Sequence, residues 1–420
     1  MSKSYKWLLI ALLSCAFFFH QADRALFGLL TIPIQKDIGL TDVQIGWINT
    51  TLSWTLAAMT VVAGFIGDRF SRKWIITLSL IAWSLMTICM GFVGGFVGAL
   101  FFRSIATGVG ESFYAPSAYA LIACHHKETR SVALSIHQAA LYVGLMVSGL
   151  VVAWALGLLG TWRGVFIAFG AAGCALGVLF IWALKDVSRR DAESQTDTNL
   201  RASAPLRENS SLAAGFRAYF CNPSALCATA GFVAIVFVNN AYLFWAPKFA
   251  AEKFAVGVGE AGKGVMLWHH LFAFAAILAG GVITDHFVKK MPRFRLGFQS
   301  LALLCGAPML LWIGFAPSFA ALLVAASCYG VFRGFFEVNT HASLFDVVPP
   351  QFRSTAVGLL NMIAFFFGGL SGVAMGALSQ KWGVHGFEIG FGIMAGTYAL
   401  GAALMAFSFF FTFNKNRVVE

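Results

Sequence analysis

Three acids and three arginines stand inside long apolar runs: Asp23, Glu111 and Glu337, with Arg24, Arg103 and Arg333. A charge at mid-bilayer depth costs on the order of 3 kcal/mol and is tolerated where it faces a partner, a protein interior or a wet cavity. Carboxylates so placed can take up and release protons, and guanidinium groups can hold an anion. Asp23 and Arg24 are neighbours. On one α-helix, Arg103 and Glu111 fall within about 80° of each other. Arg333 and Glu337 have the spacing at which helical side chains touch. Static ion pairs that fix helix packing would explain any single pair, but three pairs in one chain favour a proton or substrate role. Asp23, Glu111 and Glu337 are therefore the candidates for proton coupling. Asp23 is preferred, because Arg24 beside it can stabilise the charged form. Glu111 follows Gly108 and Gly110, which let another helix come close, so a packing acid is the alternative reading there.

Other polar residues interrupt the apolar runs: His20, Gln21, Asn239, Asn240, His269, His270, Asn339, His341 and Asn361. A lone buried His or Asn is usually satisfied by its neighbours, but as a group they suggest a polar central cavity. The substrate-binding candidates are His20, Gln21, Arg24, Arg103, Asn239, Asn240, Arg333, Asn339, His341 and Asn361. A second kind of signal is Gly64-x-x-x-Asp68-Arg69-Phe70-x-Arg72-Lys73, a carboxylate ending one helix and a basic cluster turning the chain into the next. Asp68 could accept hydrogen bonds from a helix N-terminus or pair with Arg130. A plain basic loop would explain the cations but not Gly64, Asp68 or the second copy, Gly281-x-x-x-Asp285-His286-Phe287-x-Lys289-Lys290. Gly64, Asp68, Arg69, Arg72, Lys73, Arg130, Asp285 and Arg353 are the gating candidates. The eight cysteines are scattered without a CxxC pair, and His125-His126 alone makes no metal site. No nucleophile triad, HExxH or phosphate loop is present, so the expectation is a non-enzyme with no metal and no cofactor.

The elements that must position these residues are membrane helices. Of the 420 residues, 59% are apolar and 11% charged, and mean hydropathy is +0.78. A soluble domain carries about 25% charge, so water is not the main solvent and nucleic-acid binding is excluded. Apolar runs predict helices over 6–30, 43–67, 74–93, 97–122, 130–157 and 163–184. After a polar stretch, six more follow over 224–250, 262–284, 296–315, 318–345, 354–379 and 388–412. This divides the chain into 1–184, a first six-helix bundle; 185–222, a linker in which Leu212, Phe216 and Phe220 recur at helical spacing on a possible surface helix; and 223–420, a second bundle. The first run lacks a small-residue cleavage site and reads as a span that stays. Of the 29 Lys and Arg residues, 20 fall at the termini, in the linker and in the loops on the same side. The opposite side, with Lys248 counted there, takes six. Both termini and the linker are therefore expected in the cytoplasm. Arg130-Ser131-x-Ala133 and Arg353-Ser354-x-Ala356 repeat one another, as do the two glycine-acid-basic stretches, so one six-helix unit occurs twice.

The Gly64–Lys73 pattern, its degenerate repeat and the six-plus-six layout resemble the major facilitator superfamily, with Ser71 standing where that pattern expects Gly. Within it the chain is similar to the spinster branch, through Asp23-Arg24, Gly67–Lys73, Gly108-Val109-Gly110-Glu111-Ser112, Arg130-Ser131, Trp245-Ala246-Pro247 and Arg353-Ser354-Thr355-Ala356. The resemblance implies an all-α membrane protein with twelve transmembrane helices in two pseudo-symmetric six-helix bundles. It also implies alternating access driven by a proton gradient, with Asp23, Arg24, Arg103 and Glu111 lining the inner cavity. The arginines favour an anionic organic solute such as a sugar acid. The alternative is a lysolipid, sphingoid or drug exporter, from which the polar set Arg333, Glu337, Asn339 and His341 departs. The expected partners are a small solute, protons and the bilayer of the cytoplasmic (inner) membrane, with the protein a monomer.

Overall fold

The computed structural model describes residues 3–67, 70–126, 129–185 and 212–418, which are helical with short connections and no strand. Among the described residues ten helices are long and apolar enough to cross a membrane. Asp42–Gly67 and the interrupted fourth helix complete the twelve expected from hydropathy. Large side chains such as Phe92, Trp154, Trp182 and Phe410 point outward and are mostly exposed. In water such a surface would aggregate; in a bilayer it is the face that meets lipid.

The described chain forms two compact units, residues 1–198 with 243–267, and residues 199–242 with 268–420. In the first, α1 (Lys3–Leu29) carries on through a short α2 (Thr31–Ile38) that sequence reading does not anticipate. Gly39 ends α2 with φ of 67°, a left-handed cap that suits glycine. Then come α3 (Asp42–Gly67) and α4 (Arg72–Met90). The fourth span is built in pieces: α5 (Phe96–Ala99), a π turn over Leu100–Ala106, α6 (Thr107–Ser112) and α7 (Tyr114–His125). α8 (Arg130–Leu159) and α9 (Trp162–Ala183) follow. α9 lies close along α4 because it is glycine-faced there: a Cβ on Gly170 would sit 2.5 Å from the Ser84 carbonyl oxygen.

α10 (Leu212–Phe220) is the short amphipathic helix, with Phe216 and Phe220 exposed. α11 (Pro223–Phe254) and α12 (Val258–Val288) are longer than their apolar runs. Pro247 within α11 cannot donate to the Leu243 carbonyl, and at that level Gly28 of α1 packs against the Leu243 and Phe244 carbonyls. α13 (Phe294–Gly314), α14 (Phe319–Glu337), α15 (Thr340–Phe345), α16 (Arg353–Trp382) and α17 (Val384–Phe407) complete the chain, α17 running on through a π turn at Ser408–Thr412. Third packs on sixth in both halves, α4 on α9 and α13 on α17, as a duplicated unit requires.

Candidate functional site

In the first unit the charges gather where α1, α4 and the interrupted fourth span meet. Asp23 of α1 accepts from Arg103 Nη1 at 2.9 Å and from Thr87 Oγ1 of α4 at 2.9 Å. Arg103 Nη2 also donates to the Asp23 and Arg24 carbonyl oxygens, at 3.0 and 3.1 Å. Both side chains of the pair are 2% exposed. Such a pair is held by geometry: two buried charges gain only if their hydrogen bonds are met. Asp23 therefore has a fixed charged partner, and that partner is Arg103 rather than its sequence neighbour Arg24.

Glu111 on α6 is equally buried but differently served. Its nearest cations are Arg24 Nε at 3.6 Å and His20 Nε2 at 3.7 Å. Neither carboxyl oxygen has a hydrogen-bond partner among the described residues. Gln21 donates its amide to His20 Nδ1 at 3.0 Å, so the neutral imidazole carries its proton on Nε2, facing Glu111. The flanking glycines set the helix that carries Glu111 against its neighbours. A Cβ on Gly110 would lie 3.0 Å from the Trp83 backbone nitrogen of α4, and one on Gly108 would touch Thr55 of α3. The π turn places Arg103 on α1's carboxylate while Glu111 turns to Arg24. Each is engaged elsewhere, so among the described residues Arg103 and Glu111 are not paired with each other.

The second unit has its own cluster. Arg333 Nη2 stands 3.4 Å from Glu337, the pairing expected from their spacing. Arg333 Nη1 meets His269 Nε2 of α12 at 3.0 Å. Asn339 donates to Thr284 Oγ1 at 3.0 Å and is buried, and His341 is exposed on α15. Asn239 and Asn240 on α11 and Asn361 on α16 are half-buried.

Of the gating candidates, Asp68 and Arg69 lie outside the described residues. So does the side chain of Arg130; the backbones of Gly64 and Arg130 are helical. Arg72 donates to Cys124 Sγ at 2.9 Å, and Lys73 lies over the Trp74 ring. Asp285 is exposed at the end of α12, and Arg353 donates to the Phe345 carbonyl at 2.9 Å. Further charge pairs escape sequence reasoning. Arg295 of α13 holds both oxygens of Asp346, at 2.8 and 2.9 Å. Lys248, counted above with the outer loops, is buried inside α11 and pairs with Asp42, Gln35 and Glu252. Its one local signal is Glu252, four residues on; Asp42 is 206 residues away.

Residues 12–371 match the profile of the Major Facilitator Superfamily. Among curated proteins the chain is 23% identical over 316 residues to the probable galactarate/D-glucarate transporter of Bacillus subtilis, covering 68% of this chain and 66% of that one. It is 25% identical to protein spinster of Drosophila melanogaster, covering 89% and 62%. The chain thus spans just under two thirds of the length of both. The corresponding Escherichia coli galactarate/D-glucarate protein is 22% identical and is covered over 92% of its length. Among solved structures, a bacterial homologue of the human lysosomal transporter spinster, inward-facing and unoccupied, superposes with a TM-score of 0.85 at 19% identity over all of both chains.

Proposed function

Because this chain belongs to the Major Facilitator Superfamily and is a membrane transporter rather than an enzyme, we propose that it moves a small anionic organic solute by alternating access, coupled to protons. Relatives named for galactarate, D-glucarate and D-galactonate support a sugar acid as the solute class. The observation that carries the coupling is the contrast between two buried acids. Asp23 is committed to Arg103 and Thr87, and its ionised form is satisfied. Among the described residues Glu111 has no hydrogen bond, Arg24 and His20 are its nearest cations, and Asp23 and Arg103 stand close by. A buried ionised carboxylate without hydrogen bonds is costly. Glu111 therefore takes the proton, and Arg24, 22% exposed, is released to a solute carboxylate when it does. His20 and Gln21 orient that pair. Glu337 with Arg333 is the corresponding acid–cation pair of the second unit. Asp68, with Arg69, Arg72, Lys73 and Arg130, acts at the gate, and Asp285 and Arg353 are its weaker counterpart. The protein works as a monomer in the cytoplasmic membrane with both termini inside.

The test is transport in proteoliposomes. Glu111→Gln should lose gradient-driven accumulation of a sugar acid yet still exchange it across the membrane. Accumulation that persists with unchanged pH dependence would overturn the assignment.

One observation favours a second reading, export of a lysolipid or sphingoid. An apolar cavity of about 460 Å³ opens among α11, α16 and α17, lined by Leu226, Val233, Phe237, Phe367, Leu400 and Leu404. Competition of sugar-acid uptake by a lysolipid separates the two.

A further inference from the structure

His269 is fully buried on α12, and both of its ring nitrogens are used. Nε2 accepts from Arg333 Nη1 at 3.0 Å, since a guanidinium can only donate. Nδ1 therefore carries the proton and donates to the Ala326 carbonyl at 3.2 Å. The ring is clamped by aromatics. Tyr329 stacks on it at 4.9 Å with planes 18° apart, and Tyr242 lies at 4.5 Å. Tyr329 is fixed in turn through a 3.0 Å bond to the Tyr398 hydroxyl. This is a neutral imidazole with one tautomer and one orientation, aimed at an arginine.

The backbone is arranged to make that reach possible. A Cβ on Gly330 would lie 2.3 Å from the His269 carbonyl oxygen, and one on Gly334 would lie 2.4 Å from that of Ala273. α14 thus runs against α12 backbone to backbone at the level of Arg333. A guanidinium has two edges to offer, and His269 holds one. Glu337 stands at the other, at 3.4 Å, and its side chain is 32% exposed while that of Arg333 is 3% exposed. The Glu337 oxygen facing Arg333 is buried without a hydrogen bond. Glu337 therefore stands, partly exposed, beside an otherwise buried cation.

We propose that Arg333, aimed by the neutral imidazole of His269, is a carboxylate subsite of the second unit, and that an incoming solute carboxylate takes the guanidinium edge now faced by Glu337. His269 is a positioning residue here: it touches Arg333, not the solute. A neutral acceptor suits the task, because it orients the guanidinium without cancelling its charge, as a second carboxylate would. This subsite rests on the organic-acid reading above and adds to it a second point of recognition.

The test uses D-glucarate, D-galactonate and uncharged galactose as probes, in thermal-shift binding and proteoliposome uptake. His269→Phe keeps the stack between Tyr242 and Tyr329 and removes the bond to Arg333. It should raise KM for the acids at least tenfold with kcat changed less than threefold. His269→Gln, whose amide oxygen can accept from Arg333, should restore KM to within about threefold of wild type. An unchanged KM in His269→Phe overturns the subsite and leaves the organic-acid reading standing. If that variant does not fold, Arg333→Lys decides, since a compact ammonium cannot reproduce the two-edged contact. A tenfold rise in KM supports the subsite, and an unchanged KM overturns it. Wild-type protein that neither binds nor transports either acid removes the subsite together with the organic-acid reading.

Discussion

Asp23→Asn and Glu111→Gln make the same chemical change at two acids in one cluster, and the structure predicts opposite consequences. Asp23 and Arg103 are both 2% exposed and joined at 2.9 Å, with Thr87 as a second donor. Removing one partner of a buried pair costs about 3–5 kcal/mol, chiefly because the remaining charge is stranded. The Asn keeps one acceptor oxygen, which places the expectation at the lower end, about 3 kcal/mol. A domain of 150–250 residues loses about 2–4 °C per kcal/mol, so Tm should fall by roughly 6–12 °C. Glu111 has no hydrogen bond to lose, and its nearest cations stand at 3.6 and 3.7 Å. Its amide should cost less than about 1 kcal/mol, a shift under about 4 °C. Thermal unfolding of both variants in one detergent, beside wild type, gives the comparison directly. In transport the order should reverse among folded molecules, with Glu111→Gln uncoupled and Asp23→Asn impaired mainly in amount. If Asp23→Asn melts no lower than Glu111→Gln, the argument from hydrogen-bond commitment fails.

At the Asp42–Lys248 pair, Asp42→Asn should cost less than the roughly 3 kcal/mol of a fully stranded charge, because Gln35 and Glu252 still face the ammonium, and Lys248→Met in the same chain should recover most of that cost; simple additivity of the two unfolding shifts would show that the groups are not coupled. Gly170→Leu should force α4 and α9 apart, because its Cβ would meet the Ser84 and Ile88 backbone at 2.5 and 2.8 Å; size-exclusion of a fluorescent fusion should show little monodisperse protein, and a wild-type profile would contradict the close approach. Asp68→Asn should spoil transport with little change in Tm, and an unchanged rate would remove it from the gate. Tags at Ser2, between Ser188 and Ser203 and at Glu420 should all be shielded in intact cells, as the Lys/Arg distribution requires; one that is reached from outside would invert the topology.

Hydropathy made the helices legible, because a span of apolar residues is a local property. It did not reveal that the fourth span is broken, since the π turn at Leu100–Ala106 has no hydropathy signature. The same limit applies to the charges. Arg333 and Glu337 lie on one helical turn, and the sequence pairs them as the structure does. Asp23 and Arg103 are 80 residues apart, and adjacency pointed to Arg24 instead. Lys248 fell among the outer loops because counting cations says nothing about a carboxylate 206 residues earlier. His269 was visible as a polar interruption, but its bond to Arg333 depends on Gly330 and Gly334, whose role emerges only when α12 lies against α14.

The π turn also sets how this chain can change by insertion and deletion. It holds one residue more than an α-helical path of the same length would need. Deleting a residue there, Ile105 for instance, would leave an apolar span still long enough for the membrane and would relax the turn into ordinary α-helix. Everything beyond it would stay nearly in phase, with Glu111 still beside Arg24 and His20 and Gly110 still against Trp83. The same deletion in the regular α-helix just beyond, at Val109, would instead swing Glu111 by about 100° about the helix axis. Hydropathy scores the two deletions alike, yet only the second puts the halves of one helix out of rotational phase. The π turn is a place where this span can absorb a change in length without turning its acid away from Arg24.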